Sequence, residues 1–197
     1  MTAGSGVSEP VAIPTTVTSS GTAVSVFDFK ITDGGTSDSL ALAISQIVLS
    51  TSGTGTFSKL TWLLSGPDIS GTVTGTVSGS TITFSSLSIS VANGANETYT
   101  VSAFYNDNTS LTEGQTLILS VDGDSTTNFT VGSSGTQMNS GQSAVTNGTG
   151  STVSVTATTL AFTTQPAGSV SGSALTTQPV VKARDAERYV VMRMSAT

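Results

Sequence analysis

The chain of 197 residues contains no cysteine, no histidine and a single tryptophan, and only 9% of it is charged. Without cysteine there is no disulfide framework, no thiol nucleophile and no Cys-based zinc site. Without histidine the commonest general base and the commonest transition-metal ligand are missing, so most hydrolase mechanisms lose a part. Glu, Lys, Arg and Gln, the usual residues of helix surfaces, are scarce, which excludes a helical bundle. None of the GxSxG, GxxxxGKS/T or HExxH patterns occurs. The apolar runs, such as the one from Leu40 to Leu49, are too short and too interrupted to cross a bilayer. Residues Met1 to Gly6 show neither a basic n-region nor an apolar h-region. The chain is therefore expected to be a piece of a longer exported protein, or to be exported by information that lies elsewhere.

What is abundant is hydroxyl: 33 Ser and 36 Thr, with 21 Gly. Thr, Val and Ile favour strands, and Ser and Gly favour turns. Charge is unevenly placed. Residues 1–181 carry two cations (Lys30, Lys59) and ten acids, a net −8, whereas residues 182–197 carry four cations and two acids, a net +2. An acidic body repels phosphate backbones, so no nucleic-acid partner is expected, and no membrane insertion.

Period-two alternation marks the strands. Over 23–31, Ala23, Phe27, Phe29 and Ile31 share one parity and Asp28 and Lys30 the other, predicting one buried and one wet face. In 40–50 the apolar parity switches from Leu40, Leu42 and Ile44 to Ile47 and Leu49. That predicts a strand with a bulge or bend near Ser45 and Gln46. Further strands are predicted over 58–65, 72–77, 80–91, 97–105, 115–122, 129–131 and 152–158, separated by turn chemistry such as SGPD, VSGS, ANGAN and YNDN. The stretch 132–150 reads as a long loop or a weak sheet edge. These features predict an all-β fold, an antiparallel immunoglobulin-like sandwich, with three parts: a flexible lead-in over 1–9, a sandwich module over 10–158, and a partial second β module over 159–197. TTQP occurs at 163–166 and again at 176–179, where proline suits the starts of two strands.

LAFTTQPAGSVSGSALTTQPVVKARDA, residues 160–186, resembles the opening of the bacterial immunoglobulin-like repeats that occur in tandem in very large surface and secreted adhesin-like proteins. The stretch from SGPDISG to SAFYND looks like another extracellular module of such chains. The resemblance implies a non-catalytic spacer or adhesive unit outside the cell or on its surface. Its partners would be neighbouring modules of the same chain and a surface glycan or protein ligand. After RDA the family continues with a Gly-Asn type turn; here Glu187, Arg188 and Tyr189 follow instead. Two other readings fit the composition, a carbohydrate-binding module of a secreted enzyme and a phage virion decoration domain.

Three kinds of site are conceivable. Calcium takes clustered carboxylate and carbonyl oxygens, and Asp122, Asp124, Thr126 and Asn128 place oxygens at every second position as a calcium loop begins. Thr127 and Ser133 stand where that loop needs Gly and Glu, and solvated Asx turns are the plainer expectation. Asp33 with Asp38, and Asn106, Asp107 and Asn108, are looser versions. Under the carbohydrate-binding alternative, Trp62, Tyr99 and Tyr105, with Phe104, would form a stacking platform, although parity places Trp62 and Tyr99 in a core. A Lys–Asn cross-link needs a buried lysine, and Lys30 and Lys59 both fall on the wet parity. Four Asn-x-Ser/Thr sequons, at Asn96, Asn108, Asn128 and Asn147, follow from the composition.

Overall fold

The computed structural model describes residues 1–35, 37–123, 127–133, 137–139 and 141–185, with the backbone of 190–195. The chain is all-β, 49% strand, and among the described residues no helix reaches seven residues. The strands are β1 (Thr2–Ala3), β2 (Ala12–Pro14), β3 (Val24–Thr32), β4 (Leu42–Ser52), β5 (Leu60–Gly66), β6 (Ile69–Ser78), β7 (Thr81–Phe84) and β8 (Ile89–Val91). They continue with β9 (Asn96–Tyr105), β10 (Thr116–Val121), β11 (Phe129–Val131), β12 (Val145–Thr146), β13 (Ser151–Ser154), β14 (Thr159–Thr164), β15 (Val180–Arg184) and β16 (Val190–Ser195). β1 to β13 form one large curled sheet along the path β1-β3-β9-β5-β6-β7-β4-β10-β13-β2, with β8 and β11 paired to β4 and β12 to β10.

Two strands explain the curl. β6 pairs β5 through Ile69 to Gly75 and β7 through Thr76 to Ser78, so it turns the corner between two halves of the sheet. Gly75 stands at that corner, and a Cβ there would lie 2.6 Å from Ile82 Cγ2 and 2.8 Å from Phe84 Cε1. β4 is the other hinge of the layout: β8 and β7 flank one edge, β11 and β10 the other. Its ladder with β11 passes from Gln46 to Ile44 and skips Ser45, the bulge that the parity switch predicts. The bulge lets Leu42 and Ile44 on one side of it, and Ile47 and Leu49 on the other, all enter the core.

Inside the curl lies one continuous apolar cluster, including Ile13, Phe27, Phe29, Trp62, Leu64, Phe84, Tyr99, Val101, Tyr105, Leu119 and Val153. Its burial supplies the main force for closure, about 1.5–3 kcal/mol for each large side chain relative to exposure.

The structure departs from the sequence reading in four places. Residues 1–9 do not run free: β1 pairs β3 (Thr2 with Lys30, Ala3 with Phe29), and Gly4 N–H bonds the Asp28 carbonyl. The same segment covers the expected wet face, leaving Asp28 2% exposed. The predicted strand over 80–91 is two strands, β7 and β8, divided at Ser86, whose φ is +58°. The first TTQP closes β14, with Thr163 and Thr164 as its last residues, and only the second leads into a strand, β15, so the two motifs line opposite sides of one hairpin, bridged at Ala167 and Thr177.

β14, β15 and β16 form a separate three-stranded sheet. Thr156 N–H still bonds Thr15 Oγ1 of the larger unit, while Thr158 N–H already bonds the Arg184 carbonyl. On the smaller sheet Leu160 is 71% and Phe162 56% exposed.

Candidate functional site

Of the calcium residues, only Asp122 and Asn128 lie among the described residues. Asp122 follows β10, and Asp124 lies outside the described residues, as does Thr126. Asn128 is buried, and its Nδ2 donates to the Val48 carbonyl while its own carbonyl accepts from Val48 N–H at 2.8 Å. It extends the β11–β4 ladder by one side-chain rung, so it faces into the sheet instead of toward a cation. The looser acidic candidates close Asx turns: Asp33 Oδ1 accepts from Gly35 N–H (3.0 Å), Asp38 Oδ1 from Leu40 N–H (3.1 Å) and Asp107 Oδ1 from Thr109 N–H (2.9 Å). Asp107 also accepts from the Thr109 hydroxyl and from Lys59 Nζ (3.1 Å). These contacts, the Thr109 hydroxyl first, hold its carboxyl down at about 2. Asn106 and Asn108 turn to Thr61 and Thr15 respectively. Among the described residues no three His, Cys, Asp or Glu side chains are grouped to hold a metal ion.

The sugar platform does not form either. Trp62, Tyr99 and Tyr105 are all interior. Trp62 stacks on Phe57 with ring centroids 5.5 Å apart, and its Nε1 donates to the Phe57 carbonyl at 3.0 Å. Tyr99 lies against Phe29 and over Gly66, where any Cβ would stand 2.3 Å from its ring. Its hydroxyl donates to Glu97, and burial, this bond and the Glu97 charge raise the phenol above its ordinary range. The alternation that places these rings on the apolar parity removes them from solvent, and with it their stacking faces. Lys59 is in the surface ion pair with Asp107.

What the topology does assemble is a seam. β2 and β13, the second and the last strands of the large sheet, run parallel, with Ala12 opposite Thr152, Ile13 opposite Val153 and Pro14 opposite Ser154. Around this short ladder the bonds are dense. Thr152 N–H bonds the Val11 carbonyl and Thr15 N–H the Ser154 carbonyl, both at 2.9 Å. Buried Thr15 offers its hydroxyl oxygen to Thr156 N–H at 3.1 Å and its carbonyl to Asn108 Nδ2 at 3.2 Å. Glu113 accepts from Val155 N–H. Tyr105 Oη donates to the Ile13 carbonyl at 3.2 Å, and Tyr105 N–H bonds the Val17 carbonyl at 2.8 Å. Burial first, and the Glu113 charge second, push the Tyr105 phenol above its ordinary range, so it remains a donor at any ordinary pH.

A second buried polar rung sits beside it. Asn147 is fully buried, and its Oδ1 accepts from Leu119 N–H at 2.9 Å while its Nδ2 donates to the Leu117 carbonyl at 3.1 Å. The side chain fills the ladder of β10 between the end paired with β13 and the end paired with β12. Asn128 and Asn147, both in sequons, are thereby inaccessible in the folded chain, whereas Asn96 is exposed. Sequence reasoning names Tyr105, Asn108, Asn128 and Asn147 for other roles and passes over Thr15 and Glu113. Their common signal is weak: a polar residue next to an apolar strand end.

Comparison with family models, with curated proteins and with solved structures finds no match for this chain.

Proposed function

We propose that the chain is a non-catalytic structural or adhesive module, a spacer unit of a large bacterial surface or secreted protein, working outside the cell. The observation that carries this reading is the parallel pairing of β2 with β13. When a tandem module is under tension and the short β1 pairing has come away from β3, its N-terminal side is drawn from Ala12 and its C-terminal side from Ser154, in opposite directions. In a parallel pair those forces run along the strands, so the ladder bonds and the bonds of Thr15, Tyr105 and Asn108 resist together. An antiparallel terminal pair loaded at one end would instead open one bond at a time. The finer fold reading, an immunoglobulin-like sandwich, belongs to the same proposal. It is supported by the halves β1-β3-β9-β5 and β7-β4-β10-β13, joined at β6 with the apolar cluster inside the curl. The resemblance of residues 160–186 to tandem surface repeats points the same way, with neighbouring modules as partners.

The test is to pull a concatemer of the whole chain at constant velocity. The proposal expects regularly spaced rupture peaks, each releasing roughly 50 nm of contour for the stretch between Ala12 and Ser154, at up to about 3.5 Å per residue. Extension at low force without discrete peaks would remove the spacer reading.

A further inference from the structure

The first ten residues form a strap with an unusual underside. Gly4 N–H bonds the Asp28 carbonyl at 3.0 Å and Gly6 N–H bonds Asp28 Oδ2 at 2.7 Å. The approach is so close that a Cβ on Gly4 would stand 2.2 Å from the Asp28 carboxyl carbon. Beyond these glycines, half-buried Glu9 comes back onto β3 beside Asp28. Its carboxylate is repelled by that of Asp28, and Glu9 Oε1 is buried with no hydrogen-bond partner among the described residues. A buried carboxylate oxygen without a donor is costly when charged and tolerable when protonated.

The surroundings offer no neutralising cation among the described residues. From β3 the group facing Glu9 is Asp28 itself, and Lys30 lies two residues on, opposite Thr2. From β9 the residue opposite Asp28 is Thr100. On the strap, the Met1 ammonium is engaged with Gln142 Oε1 at 2.9 Å.

We infer that residues 1–10 are a pH-responsive strap, closed on β3 when Glu9 is protonated and loosened when Glu9 and Asp28 are both charged. Burial, with the Asp28 charge adding to it, raises the Glu9 carboxyl to about 7. The closed strap binds a proton more tightly than the open one. Closure is therefore fully favoured below the ordinary Glu value near 4.5, and declines as pH rises through about 7. Opening uncovers the edge of β3 at Asp28 to Lys30, a row of unpaired strand groups able to accept another strand.

The experiment is amide hydrogen exchange at Gly4 and Gly6 in the full chain at pH 5 to 8, with each rate divided by the intrinsic rate at that pH. Wild type is expected to lose on the order of 10-fold in protection between pH 5 and pH 8, reduced from the full linkage value because Glu9 is only half buried. Glu9→Gln is expected to hold its protection constant over that range. Asp28→Asn, which keeps an acceptor for Gly6 N–H and removes only the smaller, charge contribution, is expected to make the profile shallower without flattening it, and it serves if Glu9→Gln does not fold. Constant protection in wild type, or an unchanged pH profile in a folded variant, would overturn the inference.

Discussion

The Tyr105 hydroxyl donates to the Ile13 carbonyl oxygen at 3.2 Å, tying the end of β9 to β2 across 92 positions of sequence. The bond is buried, and the ring that carries it is part of the core. Tyr105→Phe keeps the ring and removes the donor. It is expected to lower unfolding stability by about 1 kcal/mol, read as a lower denaturant midpoint at unchanged slope. No change in midpoint would mean that the bond contributes nothing to the seam.

Asn147 satisfies a backbone donor and a backbone acceptor of β10 in a position with no access to water. Asn147→Ala leaves Leu119 N–H and the Leu117 carbonyl without this partner. The expected loss is about 2–4 kcal/mol, larger than for Tyr105→Phe, because buried groups are orphaned on both sides. Thermal melting of the two variants side by side checks the order.

At the corner of β6, Gly75 has Ile82 and Phe84 within 3 Å of where a Cβ would be. Gly75→Ala forces those core side chains to move and is expected to cost about 1–3 kcal/mol. Gly21, with nothing within 4 Å and no positive φ, is the control: Gly21→Ala is expected to leave the melting temperature within about 1–2 °C of wild type.

With Trp62 interior, its emission is expected to be blue-shifted in the native chain and to stay unmoved by soluble oligosaccharides. With Asn128 turned into the β4 ladder, addition of calcium or of a chelator is expected to leave the melting temperature unchanged. A sugar-dependent change in emission would restore the carbohydrate reading, and a calcium-dependent rise in melting temperature would restore a cation site.

The sequence made the strands legible wherever burial acts through local alternation. The parity switch in 40–50 marks the bulge at Ser45, and the alternating positions Leu60, Trp62 and Leu64 of β5 and Tyr99, Val101, Ala103 and Tyr105 of β9 face the core. It failed where a distant segment changes what a residue meets. Asp28 has the parity of a wet face and is buried only because Gly4 and Gly6 lie on it. Nothing local separates β7 from β8 within 80–91, since the break depends on a positive φ at Ser86 and on Leu87 N–H bonding the Ser45 carbonyl. Asn128 and Asn147 carry the composition of loops; their role as ladder rungs follows from which strand edges the topology leaves open. The seam was invisible for the same reason, since β2 and β13 are three and four residues long and meet across most of the chain.

The central claim is that the parallel seam resists tension along its strands, and the native absence of cysteine allows a direct test. A double variant with Ser8→Cys and Ala157→Cys takes handles at opposite ends of the β2–β13 pair, so that tension shears it. Thr16→Cys with Ala157→Cys places both handles at the same end, so that tension peels it. Single-molecule pulling at matched speed should give a rupture force several-fold higher in the first geometry than in the second. Equal forces in the two geometries would contradict the account.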